Sequence, residues 1–177
     1  MKNLILMISI PVLLSYATIA TAQSCHKKKS QDIVGIATSS HDFSTLVAAL
    51  KAADLVSALQ SDGPFTVFAP TNAAFSKIDS NTLNSLLEPK NKKQLTSILT
   101  YHVIKGKLTA ADVVEALEKG KGEVELTTLS GAKLKAIKND EGILLRDQNG
   151  AYSHIEKTDL LASNGVIHVI DSVVMPK

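Results

Sequence analysis

The sequence predicts an α+β domain, helices mainly N-terminal and strands mainly C-terminal, and three observations predict it. Apolar residues recur at helical spacing between Phe43 and Leu117. From Glu123 the period drops to two. The final run, residues 165–174, is apolar on both faces apart from His168, Asp171 and Ser172, the pattern of a strand deep in a sheet. A length of 177 residues holds one ordinary domain, and 45% hydrophobic with 20% charged residues provides a core and argues against disorder.

In chain order, residues 1–22 carry one positive charge at Lys2, an apolar run over residues 4–14, and Ala20-Thr21-Ala22. That is the layout of a secretory signal peptide cut before Gln23. The run is too short to span a bilayer and contains Pro11. Residues 23–31 form a polar, Lys-rich leader, and the folded domain is expected over residues 32–177. Cys25 is the single cysteine and has no partner for an internal disulfide. Either it is a tail thiol on a secreted or periplasmic protein, or it is lipidated and anchors the chain to the envelope, the one route to a membrane. Without the four lysines of residues 1–29, the 19 basic residues fall to 15, against 17 acidic. A slightly acidic body lacks the electrostatic footprint of a nucleic-acid binder, and the three Tyr and four Phe give little material for stacking bases.

Phe43, Leu46, Val47 and Leu50 stand at i, i+3, i+4 and i+7, with Leu55, Val56 and Leu59 continuing the helix and Asp42 as its N-cap. Ser61-Asp62-Gly63-Pro64 stops it, and residues 65–69 read as a short buried strand closed by Pro70. Residues 72–78 and 83–87 read as short helices, and residues 90–103 as a longer one with Leu95, Ile98, Leu99 and His102 on one face. Thr109 caps a helix through Leu117, ended by Gly120 and Gly122. Val124, Leu126, Leu134 and Ala136 then alternate with charged residues, and Gly131, Gly142 and Asn149-Gly150 are spaced as hairpin turns. A three-residue loop, Leu129-Ser130-Gly131, sets Glu125 opposite Lys135 and Leu126 opposite Leu134.

Two segments, Gly63-Pro64-Phe65-Thr66-Val67-Phe68-Ala69-Pro70-Thr71-Asn72-Ala73-Ala74-Phe75 and Asn164-Gly165-Val166-Ile167-His168-Val169-Ile170-Asp171, flank Tyr101-His102. Together they resemble the two signature boxes and the Tyr-His pair of the fasciclin (FAS1) domain family, in the form of a single-domain secreted member. The resemblance covers residues 32–177. It implies a FAS1-like wedge of about seven strands flanked by helices, on a secreted or surface-anchored protein acting in adhesion or matrix contact. Family partners range from proteins to polysaccharides and, in a few members, carotenoids, so the fold by itself names no partner. Asn72 stands where many members have Asp, and a role there that needs a carboxylate does not carry over.

Pro70, Thr71 and Phe75 read as strand end, helix cap and core, and Tyr101, His102, Gly165 and His168 complete the structural motif. Both histidines lie on apolar faces. Zinc needs three or four ligands, and the two are read as core histidines with both ring nitrogens hydrogen-bonded, not as ligands. No metal and no cofactor is expected. The chain has no G-x-S-x-G elbow, H-E-x-x-H, phosphate-cradling loop or Rossmann fingerprint, so no catalytic residue is assigned and it is read as a non-enzyme. Cys25 and His26 are two donors on a leader, a weak site for a metal.

In some animal members of that family a segment just before the second box, Glu-Pro-Asp-Ile-Met, carries integrin recognition. The matching stretch here is Lys157-Thr158-Asp159-Leu160-Leu161. Asp159 matches, the two leucines keep the apolar character, and the charge reversal at Lys157 argues against the same receptor. Asp159, Leu160 and Leu161 are the candidate partner-binding residues, on a surface connection over residues 156–161. The alternative is that Asp159 only caps or turns the chain while the leucines pack below. Two functions therefore stand: an extracytoplasmic adhesion or matrix module with a protein or polysaccharide partner, and a binding protein for a small apolar ligand such as a carotenoid or lipid, held between helices and sheet.

Overall fold

The computed structural model describes residues 31–140 and 142–177. The expected signal peptide and cut site, Cys25, His26 and the expected leader up to Ser30 lie outside the described residues. Helix α1 (Ile33–Ser39) is capped by Asp32, whose carboxylate accepts from the Gly35 N–H at 2.6 Å, and it buries Ile33, Val34 and Ala37. The sequence alone predicts no helix here, because two turns contain too few apolar repeats to define a period.

A 3-10 turn (His41–Phe43) leads into α2 (Ser44–Ala52). The expected cap, Asp42, lies inside that turn; Ser40 Oγ accepts from the Asp42 N–H at 3.4 Å instead. The Thr45 N–H, in the first turn of α2, is taken up by Asn72 Oδ1 at 3.0 Å, so a side chain 27 residues away serves where a local cap was expected. The single helix expected to run on through Leu59 is interrupted at Asp54, which takes φ 57°, and Val56–Leu59 forms a separate α3.

Strand β1 (Phe65–Pro70) includes Pro70 as its last residue, opposite Ile170, where the missing N–H costs the ladder nothing further on. Helices α4 (Asn72–Ser76), α5 (Ser80–Leu87) and α6 (Lys92–Tyr101) follow. His102 is the C-cap of α6, and Val103, expected within the helix, opens β2 (Val103–Lys105) by pairing with Val67. Helix α7 (Ala110–Lys119) starts with a reciprocal capping box between Thr109 and Asp112.

Strands β3 (Glu123–Thr127), β4 (Lys133–Asn139), β5 (Gly142–Arg146), β6 (Tyr152–Ala162) and β7 (Gly165–Ile170) complete one sheet in the order β2-β1-β7-β6-β5-β4-β3. In the first hairpin Glu125 faces Lys135 and Leu126 faces Leu134, with Gly131 at φ 83°, the register expected of a three-residue loop. Strand β7 runs parallel to β1, antiparallel to β6, and is buried throughout. The two outer strands meet: the Leu129 N–H donates to the Val103 carbonyl at 2.7 Å and Ile104 bridges Thr128. The sheet is thereby nearly closed into a barrel, which leaves little free edge.

Val67, Ala69, Ile167 and Val169 pack beneath α1, α2 and α6, while Phe68, Leu134, Leu145 and Ile170 pack with Val113 and Leu117 of α7. Alternate strand residues thus feed two separate cores. Residues 156–161, expected as a connection, lie inside β6. Pairing with β7 slips between Ile155 and Lys157 and again between Lys157 and Leu160, so this half of the strand is bulged. A bulge breaks the two-residue alternation that would have marked the strand in the sequence.

Candidate functional site

The bulge is held from behind by His168. Its Nε2–H donates to the Leu108 carbonyl at 2.8 Å, its Nδ1 accepts from the Asp159 N–H at 3.4 Å, and its ring centroid lies 5.7 Å from that of Phe68. A carbonyl can only accept and an amide N–H only donate, so these partners fix the tautomer. Asp159 takes φ 57°, and its Oδ1 accepts from the Ala110 N–H at 2.9 Å. That places a carboxylate at the first residue of α7, where the helix dipole favours negative charge. Asp159 is exposed but fixed at both main chain and side chain.

His102 is bonded in the same manner. Its Nδ1–H donates to the Ile98 carbonyl at 2.8 Å and its Nε2 accepts from the Val174 N–H at 3.3 Å. Burial lowers its pKa to about 4, partly opposed by the bond to Ile98. Each imidazole has both nitrogens committed to backbone groups, which leaves no lone pair for a metal. Among the described residues no three His, Cys, Asp or Glu side chains gather to hold an ion. Tyr101, fully buried, donates its hydroxyl to the Lys133 carbonyl at 2.8 Å; burial first, and Asp147 second, push its pKa up to about 12.

The remaining motif residues are placed by the β1–β7 pair. Thr71 Oγ1 accepts from the Ala74 N–H at 3.2 Å and caps α4, and Phe75 is buried. Gly165 sits so close to β1 that a Cβ there would lie 2.1 Å from the Phe65 carbonyl oxygen. Asn72, the residue without a carboxylate, donates through Nδ2 to the His41 carbonyl at 2.7 Å and to Ser44 Oγ at 2.9 Å, bonds that an Asp could not make.

The structure separates the two leucines. Leu160 is half-buried on the side of α1 and α2, whereas Leu161, next along the strand, is 63% exposed. Leu160 forms one wall of an open groove of about 430 Å³ between β6 and the segment joining α1 to α2. Asp42, Glu156 and Lys157 line it as well. No local signal in the sequence marks this groove, since its walls lie over a hundred residues apart in the chain. On the α7 side, an apolar gap lined by Phe68, Val113, Leu126, Leu145 and Ile155 encloses about 10 Å³, room for roughly one water molecule. That volume is too small for a carotenoid or lipid chain.

The family model for the Fasciclin domain matches residues 41–176. Protein sll1483 of Synechocystis is 47% identical over 144 residues, covering 81% of this chain and 73% of that protein. Immunogenic protein MPB70 of Mycobacterium bovis is 37% identical over 153 residues, covering 83% of this chain and 70% of that protein. Among solved structures, a FAS1 domain pair from the insect cell adhesion molecule Fasciclin I shares the fold with a TM-score of 0.71 at 21% identity, over 81% of this chain. This chain spans 50% of that domain pair. The boxes that set β1 beside β7, the buried Tyr101-His102 pair and the match over nearly the whole described region lead to one conclusion: the chain belongs to the fasciclin domain family.

Proposed function

We propose that this chain is an extracytoplasmic adhesion or matrix-contact module, secreted or periplasmic and not an enzyme, that docks a protein or polysaccharide partner through Asp159, Leu160 and Leu161. The observation that carries the reading is the exposure of Leu161, 63%, on a strand whose neighbours are fixed by His168 and Ala110. A large apolar side chain held in water on a rigid support contributes binding energy with little ordering cost. Kinship with fasciclin-domain proteins, one of them a cell adhesion molecule by name, supports the class of function. The apolar gap under α7, about 10 Å³, gives the small-ligand alternative no support on that side of the sheet.

The test is attachment of cells, and of purified matrix proteins and polysaccharides, to surfaces coated with the exported chain. Leu161→Ser is expected to reduce attachment several-fold at an unchanged melting temperature. Equal attachment by the wild type and Leu161→Ser would remove this residue from the site, and no attachment by either would remove the adhesion function.

A further inference from the structure

The groove beside Leu160 has a floor and a rim of different chemistry. Its floor is formed by Ile36 of α1, Phe43 of the 3-10 turn, Leu160 of β6 and Val169 of β7. Ile36 and Leu160 keep part of their surface in water, while Phe43 and Val169 are 4% and 3% exposed. Its rim carries Asp42 and Glu156 with Lys157, and none of the three has an ion-pair partner among the described residues. Two carboxylates against one ammonium leave the rim acidic. The walls are preformed: Asn72 binds the His41 carbonyl and the Thr45 N–H on one side, and the bonds of Asp159 to His168 and Ala110 hold β6 on the other.

We infer that this groove receives an extended peptide segment of a protein partner, with an apolar side chain on the floor and an adjacent Lys or Arg paired with Asp42 and Glu156. The inference rests on the adhesion reading and names protein as the partner class for the Leu160 side of the site. The floor decides between protein and sugar. Its apolar part is aliphatic apart from Phe43, whose ring is almost wholly covered, and the Ser39, Ser40, Thr71 and Asn72 side chains that also line the groove are already bonded to backbone groups. It therefore offers little to stack on or bond a sugar ring, whereas an aliphatic or aromatic side chain buries well against Ile36 and Leu160. The unpaired carboxylates then select the charge of the neighbouring residue.

A random dodecapeptide phage library panned on the exported chain tests this. Enriched sequences are expected to place a basic residue beside an apolar one, and synthetic peptides made from them should bind the Asp42→Asn/Glu156→Gln double variant at least tenfold more weakly. Both changes keep side-chain size at exposed positions, and an unchanged melting temperature confirms the fold. No enrichment over an uncoated surface, or enriched peptides whose affinity is the same for the double variant, would overturn the inference. The coated-surface assay separates this failure from that of the adhesion reading: attachment lost in Leu161→Ser but kept in the double variant overturns the groove alone.

Discussion

Asn164 ties the first helix to the last hairpin: its Oδ1 accepts from the Ile33 N–H at 3.0 Å, across 131 residues of sequence. The same amide donates through Nδ2 to the Leu59 carbonyl at 2.7 Å and the Ser61 carbonyl at 3.2 Å. One side chain therefore holds the start of α1, the end of α3 and the β6–β7 turn together. Asn164→Ala is expected to cost roughly 2–4 kcal/mol in urea unfolding, from three lost bonds and a stranded donor and acceptors. Asn164→Asp should give no rescue, because a carboxylate cannot donate to two carbonyls. An Asp variant as stable as the wild type would show that the two Nδ2 bonds contribute nothing.

Gly165→Ala tests the close approach of β7 to β1. The added methyl would meet the Phe65 carbonyl oxygen at 2.1 Å and Ile33 Cδ1 at 2.9 Å, so the parallel pair must separate. A loss above about 3 kcal/mol, or failure to fold, is expected. Gly131→Ala is the control: φ is 83° but a Cβ meets nothing within 4 Å. Its cost should be about 1 kcal/mol, from backbone strain alone. A Gly165→Ala loss no larger than that of Gly131→Ala would show that the parallel pair accommodates the methyl group.

Stability should fall in mild acid because of His102. Its folded-state pKa is about 4, against 6.5 for the free side chain. Between these values the unfolded chain binds the proton and the folded chain does not. The stabilisation is therefore complete above pH 6.5 and is lost as pH falls toward 4. Unfolding free energies at pH 7.5 and 4.5 should differ by roughly 2–3 kcal/mol. His102→Asn, less stable at both pH values, should show a much smaller difference. An unaltered pH dependence in that variant would assign the acid sensitivity to other groups.

Asp159 and Leu161, both in the proposed docking surface, should differ in their effect on stability. Asp159→Ala removes the acceptor for the Ala110 N–H and places alanine at φ 57°, so it should lower the melting temperature, by the equivalent of about 1–2 kcal/mol. Asp159→Asn keeps the acceptor and tolerates that backbone, and should stay close to the wild type. Leu161→Ser should leave the melting temperature alone and lower attachment. Calorimetry on the three variants checks the first two expectations, and the coated-surface assay checks the third.

The sequence by itself determined the features that short-range chemistry controls. Thr71 and Thr109 are caps because their hydroxyls reach an N–H three residues on. The β3–β4 register follows from the loop length and from charges placed to meet across it. Helices before strands, the buried final strand and the two boxes were legible because each repeats a period or a turn motif within a few residues. Tertiary structure decided what depends on distant partners. Val103 is a strand residue because β1 is there to pair with it, and Thr45 is bonded by Asn72, not by a local cap. Asp159 caps α7 from 49 residues away, and β6 gives up its alternation to fit β7. The groove beneath Leu160 exists only once α1, the 3-10 turn, β6 and β7 have converged. The division is physical: caps, turns and periods are encoded by neighbours whose contact costs little loop entropy, whereas pairings across a hundred residues form only with the assembled core.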